Sequence, residues 1–234
     1  MSSGSPDERG LAILRHLARY RLSFTEVIRF VPCQGGDPEE TIRALKAGGF
    51  IGTREGYGGR RVAYVLTPRG ASAVGAGRRS GEEAGAEAEA RHLAVFSFCY
   101  LAKKPRARLG KEDLRELFAD AKLAGHDYCL EYVANSKRVH AMYVPGPATP
   151  PNEIASSVRR RLRDLWQEEP LRPWLTNGVL TICVPVTNRE RAAQINARLE
   201  TERFEDRPLF DFVDVNVEVI PGRDELSEAL RVFA

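Results

Sequence analysis

The sequence predicts a two-domain α+β protein, and three observations carry that reading. A capped helix at residues 37–49 runs straight into two short strands around a glycine turn, the stretch from 75 to 91 has no bulky apolar residue, and beyond it strands alternate with amphipathic helices. A chain of 234 residues with 43% hydrophobic side chains fits two modest cores better than one. The expected boundaries are a helical domain at 8–75, a linker at 76–91, and an α/β domain with a mixed sheet at 92–234.

Each element of the first domain has local signals. Asp7 and Glu8 suit the start of a first helix, whose apolar seam is Leu11, Leu14, Leu17 and Ala18. Ser23 or Thr25 can cap a second helix through Val27, Ile28 and Phe30, closed by Pro32. After the turn CQGGD comes a third helix, started by Asp37 and Pro38 with Glu40 completing a capping-box-like arrangement, and stopped by Gly48-Gly49. Its buried face is Ile42 and Leu45; Glu40, Arg43 and Ala47 face away, with Lys46 at the flank. Phe50, Ile51 and Thr53 read as one strand and Val62, Tyr64 and Leu66 as the next, joined at Gly56 to Gly59 with Arg60 and Arg61 at the tip. A hairpin with paired arginines directly after a capped helix is how a winged helix-turn-helix presents a base-reading helix together with a wing that touches phosphate. The candidate DNA-contacting residues are therefore Gln34, Thr41, Arg43, Lys46, Arg54, Arg60 and Arg61. The exit Leu66-Thr67-Pro68-Arg69-Gly70 resembles that of MarR-like winged-helix regulators, in which such a segment closes the wing and starts a linking helix.

The charge supports a polyanionic partner. Residues 1–79 carry 13 Lys and Arg against 7 Asp and Glu, a net of +6 within a chain whose total is +3. Cys33, Cys99, Cys129 and Cys183 stand far apart with no CxxC pair and read as free thiols rather than a zinc site or a disulfide framework. No apolar run approaches spanning length and the N-terminus lacks the pattern of a signal peptide, which leads to the expectation of a cytoplasmic protein with no membrane partner.

In the remainder, HLAVFSFCYLA reads as a buried helix with a strand as the alternative, and GKEDLRELFADAKLAG as a short amphipathic helix with Leu114, Leu117 and Phe118 on one side. DYCLEYV and RVHAMYV read as strands joined by a turn at residues 134–137. A helix from Glu153 to Glu168 buries Ile154, Val158, Leu162 and Leu165, with Arg159, Arg160, Arg161 and Arg163 on a solvated face that could also touch phosphate. VLTICVPV is an apolar strand; Thr187-Asn188 leads into a helix with Ala192, Ile195 and Leu199 inward. FVDVNVEVI alternates Val213, Val215, Val217 and Val219 against Asp214, Asn216 and Glu218, which predicts one wet face.

The LTPRG, RHLAV, GHDYCLEY and VLTICVPVTNRERAAQI segments, at 66–70, 91–95, 125–132 and 179–195, resemble the replication-relaxation family of plasmids and integrative elements. The resemblance implies a restriction-nuclease-like fold for the second domain, and for active members a metal-dependent nuclease or relaxase with an acidic residue on one strand and an acidic pair with lysine on the next. Here Asp127 can take the first position, but Arg138 to Tyr143 offer neither carboxylate nor lysine, and His140 and Met142 stand where these are wanted. Asp127 and Glu131 then read as structural groups at a strand edge, and His16, His92, His126 and His140 lack metal-ligand spacing. The expectation is a non-catalytic binder of double-stranded DNA, without metal or cofactor: a transcriptional regulator or DNA-processing accessory factor of a mobile element, homodimeric or partnered with another protein through its second domain. A metal-dependent nuclease or relaxase is the alternative. Asp37, Glu39 and Glu40, which repel phosphate, support a third reading as a protein-binding module.

Overall fold

The computed structural model describes residues 5–58, 61–121, 123, 127–133 and 136–233 and divides the chain into two compact units, 1–96 with 221–234, and 97–220. Residues 59, 60, 126, 134 and 135 therefore lie outside the described residues, among them Arg60, His126 and part of each predicted hairpin turn.

In the first unit, α1 (Glu8–Tyr20) is capped by Asp7, whose carboxylate accepts from the Gly10 N–H at 2.7 Å, and its seam Ile13, Leu14 and Leu17 is wholly buried. The α2 helix (Thr25–Phe30) has no side-chain cap, contrary to expectation. Ser23 is instead drawn into a two-way backbone pair with Tyr64, and its hydroxyl lies 2.9 Å from His16 Nε2, so tertiary pairing overrides the local capping option. The α3 helix (Glu39–Ala47) starts one residue later than the sequence suggests, with Asp37 accepting from the Glu39 N–H, and Gly49 takes φ +71° just beyond its end. β1 (Ile51–Tyr57) and β2 (Arg61–Leu66) pair antiparallel, and Thr67 caps α4 (Pro68–Ala73). Gly70 is required there, because a Cβ would overlap the carbonyl oxygen of Phe50. Ile42, Leu45, Phe50, Ile51 and Leu66 close over the α1 seam in one core.

Two expectations about the margins of this unit are corrected. The stretch read as a linker docks on the unit, Ala76 against its core and the rest by polar contacts: the Tyr57 hydroxyl donates to Glu89 at 2.7 Å, Arg54 pairs with Glu83 at 2.7 Å, and Gly81 is buried against the Thr67 carbonyl. The last residues, expected in the α/β domain, instead belong to the first unit. Gly58 N–H donates to Arg223 O at 3.0 Å, the Ser227 hydroxyl donates to Gly58 O, and Leu226 and Leu230 are fully buried. Arg61 joins this seam, with Glu26 and the Ser227 hydroxyl as partners. The Arg61 and Glu26 side chains are only 28% and 23% exposed, so Arg61→Ala is expected to lower the stability of this unit by about 1–2 kcal/mol, readable by chemical denaturation.

The α5 helix (Ala86–Tyr100) realises the predicted buried helix and crosses the division between the units. The second unit continues with β3 (Arg106–Arg108), a strand the sequence did not suggest, then α6 (Lys111–Leu117), β4 (Asp127–Val133), β5 (Ser136–Met142), α7 (Pro151–Trp166), α8 (Arg172–Thr176), β6 (Leu180–Val186), α9 (Arg189–Glu200), the two-residue strands β7 (Arg203–Phe204) and β8 (Arg207–Pro208), and β9 (Val215–Val219). A last helix, α10 (Leu226–Ala229), lies in the tail that joins the first unit. The mixed sheet runs β3-β4-β5-β6-β9, antiparallel through β5 and parallel from there, so α7 with α8, and then α9, make the crossovers that parallel pairing requires. One sheet face buries Tyr128, Leu130, Val139, Ala141, Ile182 and Val184 against Ile154, Val158, Leu162 and Leu165 of α7 and Ile195 and Leu199 of α9. Among the described residues no helix is long and apolar enough to cross a membrane.

The opposite sheet face is polar yet covered. The wet face expected for the last strand is corrected here: the Glu218 side chain is only 14% exposed because it meets an arginine from β3, while Val219 is exposed.

Candidate nucleic-acid interface

The amphipathic pattern of α3 decides what it offers outward. Ile42 and Leu45 are buried in the core of the first unit, which leaves Arg43, Ala44, Lys46 and Ala47 facing solvent. Among the described residues no ion pair engages Arg43 or Lys46, so both cations are available to an anionic ligand. Thr41 is half-buried on the same helix, and Gln34, exposed, sits at φ +50° in the preceding turn. That turn is held by Arg9, which donates to the Asp37 carbonyl at 2.6 Å. Glu39 and Glu40 are also exposed, at the opposite end of the helix from Lys46.

The hairpin contributes less than the sequence suggested. Arg54 is engaged by Glu83, and Arg61 is turned into the protein toward Glu26 and Ser227 rather than outward, because a carboxylate and a hydroxyl from distant segments meet it there. Arg60 lies outside the described residues. Of the seven predicted contacts, the structure therefore brings Thr41, Arg43 and Lys46 together on α3, sets Gln34 just before it, and withdraws Arg61.

The second unit places Asp127 and Glu131 on one face of β4, as their spacing requires, but each carboxylate is already neutralised. Asp127 is ion-paired with Arg108. Glu131 is not at a strand edge: it lies in the interior of the sheet, 6% exposed and directly opposite Arg106, whose Nε donates to it at 2.6 Å. The Arg106 side chain is fully buried; its two Nη groups reach Glu218 at 2.6 and 2.7 Å, and its guanidinium stacks 3.7 Å from the Phe98 ring centroid. Lys104 adds a second cation, 3.6 Å from Glu218 and 3.9 Å from Glu131. These cations hold the Glu131 and Glu218 carboxyls below the usual carboxylate range although burial alone would push both up.

His140 completes the cluster. Burial, reinforced by the Arg106 charge, pulls its pKa down to about 4, so the ring is neutral at pH 7. A carboxylate can only accept, so Nε2–H donates to Glu131 at 3.2 Å and Nδ1 accepts from the Thr181 hydroxyl at 2.8 Å. One arginine, one lysine, two carboxylates and a neutral histidine thus satisfy one another, which is the geometry of a structural network rather than of a general base or a metal cage. Among the described residues no group of three or more His, Cys, Asp or Glu side chains could hold a metal ion.

No family model, curated protein or solved structure matches the chain. Sequence reasoning missed Arg106 and Glu218 because the short strand β3 carries no periodic signal and the partners lie 112 positions apart. Cys99, Cys129 and Cys183 are buried; Cys99 and Cys129 approach at 3.6 Å, and burial pushes the Cys129 and Cys183 thiols well up, away from the reactive thiolate.

Proposed function

We propose that the chain is a sequence-specific double-stranded DNA-binding protein, a transcriptional regulator or DNA-processing accessory factor, in which the first unit acts as a winged helix and α3 enters the major groove. The observation that carries this reading is the outward pair Arg43 and Lys46, exposed and free of ion pairs among the described residues, on a helix fixed by its buried Ile42 and Leu45. The order of three helices, hairpin and following helix supports it, as does the excess of basic residues before residue 80.

In this proposal the second unit is a restriction-nuclease-like scaffold without the chemistry, and it pairs two copies so that two α3 helices meet two half-sites. A non-catalytic role is supported by Asp127 and Glu131 being committed to Arg108 and Arg106.

Selection of bound duplexes from a random pool, followed by fluorescence anisotropy over a salt series, tests the reading. Lys46→Ala is expected to weaken all duplexes alike and lower the slope of log K against log salt by about one. Arg43→Ala should relax preference at particular base pairs by about 1–3 kcal/mol. Retention of full affinity and selectivity in the double variant would refute docking through α3.

A further inference from the structure

The second unit contains a cleft of about 840 Å³ lined by four arginines, Arg159 and Arg163 from α7, Arg172 from the start of α8, and Arg203 from β7, with Glu205 and Asp206 beside them. Arg159 and Arg163 are four apart and so share a helix face. Their electrostatic situations differ. Arg159 is anchored at 2.7 Å by the buried Glu202, which also takes Arg198, whereas Arg163 has no ion-pair partner among the described residues. Arg203 donates to the backbone carbonyl of Asp206, and the exposed Glu169 lies 3.9 Å from Arg172. Arg172 also donates through Nε to the Trp166 carbonyl at 2.9 Å and lies 5.5 Å from its ring centroid, and Glu205 and Asp206 share the lining, which leaves Arg163 as a guanidinium that no carboxylate pairs among the described residues.

An aromatic plane lies among these cations. Trp166 lines the cleft, and its indole is fixed by edge contacts with Phe204 and Phe212, at centroid distances of 6.3 and 5.1 Å. The rim is the β7–β8 turn, in which Glu205 and Asp206 both adopt left-handed backbone, at φ +49° and +62°, a conformation that ordinarily selects glycine or asparagine.

We propose that this cleft binds a nucleotide unit of a single-stranded nucleic acid, with its phosphates on Arg163, Arg172 and Arg203 and a base against Trp166. Phosphate forks alone suit any anion, but their combination with a fixed indole selects an unpaired base, which a duplex keeps within its stack. The volume exceeds what one inorganic phosphate needs and matches a ligand of nucleotide size. The site is distinct from α3 and does not depend on the duplex reading.

The chain has two tryptophans, so Trp174→Phe leaves Trp166 as the sole tryptophan, excited selectively at the red edge where tyrosine does not absorb. Titrating this variant of the chain with a short oligo(dT) is expected to quench Trp166, with an affinity that falls at least about tenfold in Arg163→Glu/Arg203→Glu and weakens with salt. Circular dichroism melts establish that the charge-reversed protein is folded, and in Arg43→Ala/Lys46→Ala the oligo(dT) affinity should stay unchanged whatever happens to duplex binding. Thymidine monophosphate and inorganic phosphate are titrated in parallel. Weaker binding of the monophosphate than of the strand supports the assignment. Binding of the monophosphate without the strand, no quenching by oligo(dT) at low salt, or equal affinity in the charge-reversed variant overturns it.

Discussion

Arg106→Ala is expected to destabilise the second unit by about 3–5 kcal/mol, because it strands two carboxylates, Glu131 and Glu218, in a site where the Arg106 side chain is itself 0% exposed. That is a large share of the stability of an ordinary domain. Both tryptophans, Trp166 and Trp174, lie in this unit, so the melting curve followed by their fluorescence reads it selectively, and a fall on the order of 10 °C or more is expected. Arg106→Met combined with Glu131→Leu and Glu218→Leu should recover much of the loss, since removing every charge removes the desolvation problem that removing one partner creates. An unaltered melting temperature in Arg106→Ala would show that water or Lys104 can replace the guanidinium.

Acidification is expected to have an effect of similar size, and one that divides between the units. His16 in the first unit and His140 in the second are both pulled down to about 4, from 6.5, by burial first and then by a neighbouring arginine, Arg19 and Arg106 respectively. A histidine whose folded pKa is depressed binds fewer protons folded than unfolded between those two values, so stability rises with pH through that window and is lost as pH falls from about 6.5 toward 4. Each site accounts for up to about 3 kcal/mol. Glu131 and Glu218, held low by Arg106, add a second loss at lower pH, when protonation breaks their pairing. Tryptophan-detected melts over this range should lose most of their pH dependence in His140→Gln and keep it in His16→Gln, while the circular-dichroism signal responds to both. A wild-type midpoint that is flat from pH 7 to 4.5 would contradict the neutral state of both rings.

Much of the helical fold was legible because its causes are local. Asp7 starts α1, Asn188 starts α9, and the inward sets on α3, α7 and α9 follow from 3.6-residue spacing alone. The outward position of Arg43 and Lys46 was legible for the same reason, since burying Ile42 and Leu45 leaves them nowhere else to point. The strands β1, β2, β4, β5, β6 and β9 were located to within a few residues while the short β3, β7 and β8 were missed, and which face would be wet was misjudged for β9: alternation separates two faces and does not say what covers either.

Pairing between distant segments was decided by tertiary structure alone. Arg61 looked like a wing-tip cation until the fold brought Glu26 and Ser227 to it, from 35 and 166 positions away. Arg106 carries no local signal, and its role appears only when β3 sets it opposite Glu131 and the parallel crossovers carry Glu218 to its other side. A capping residue acts within one turn of chain and leaves its mark in sequence spacing. An ion pair across a sheet depends on strand order and register, which no local pattern encodes, so the sequence by itself determined the longer amphipathic helices and their buried faces, and only the tertiary structure decided which charges face water and which face each other.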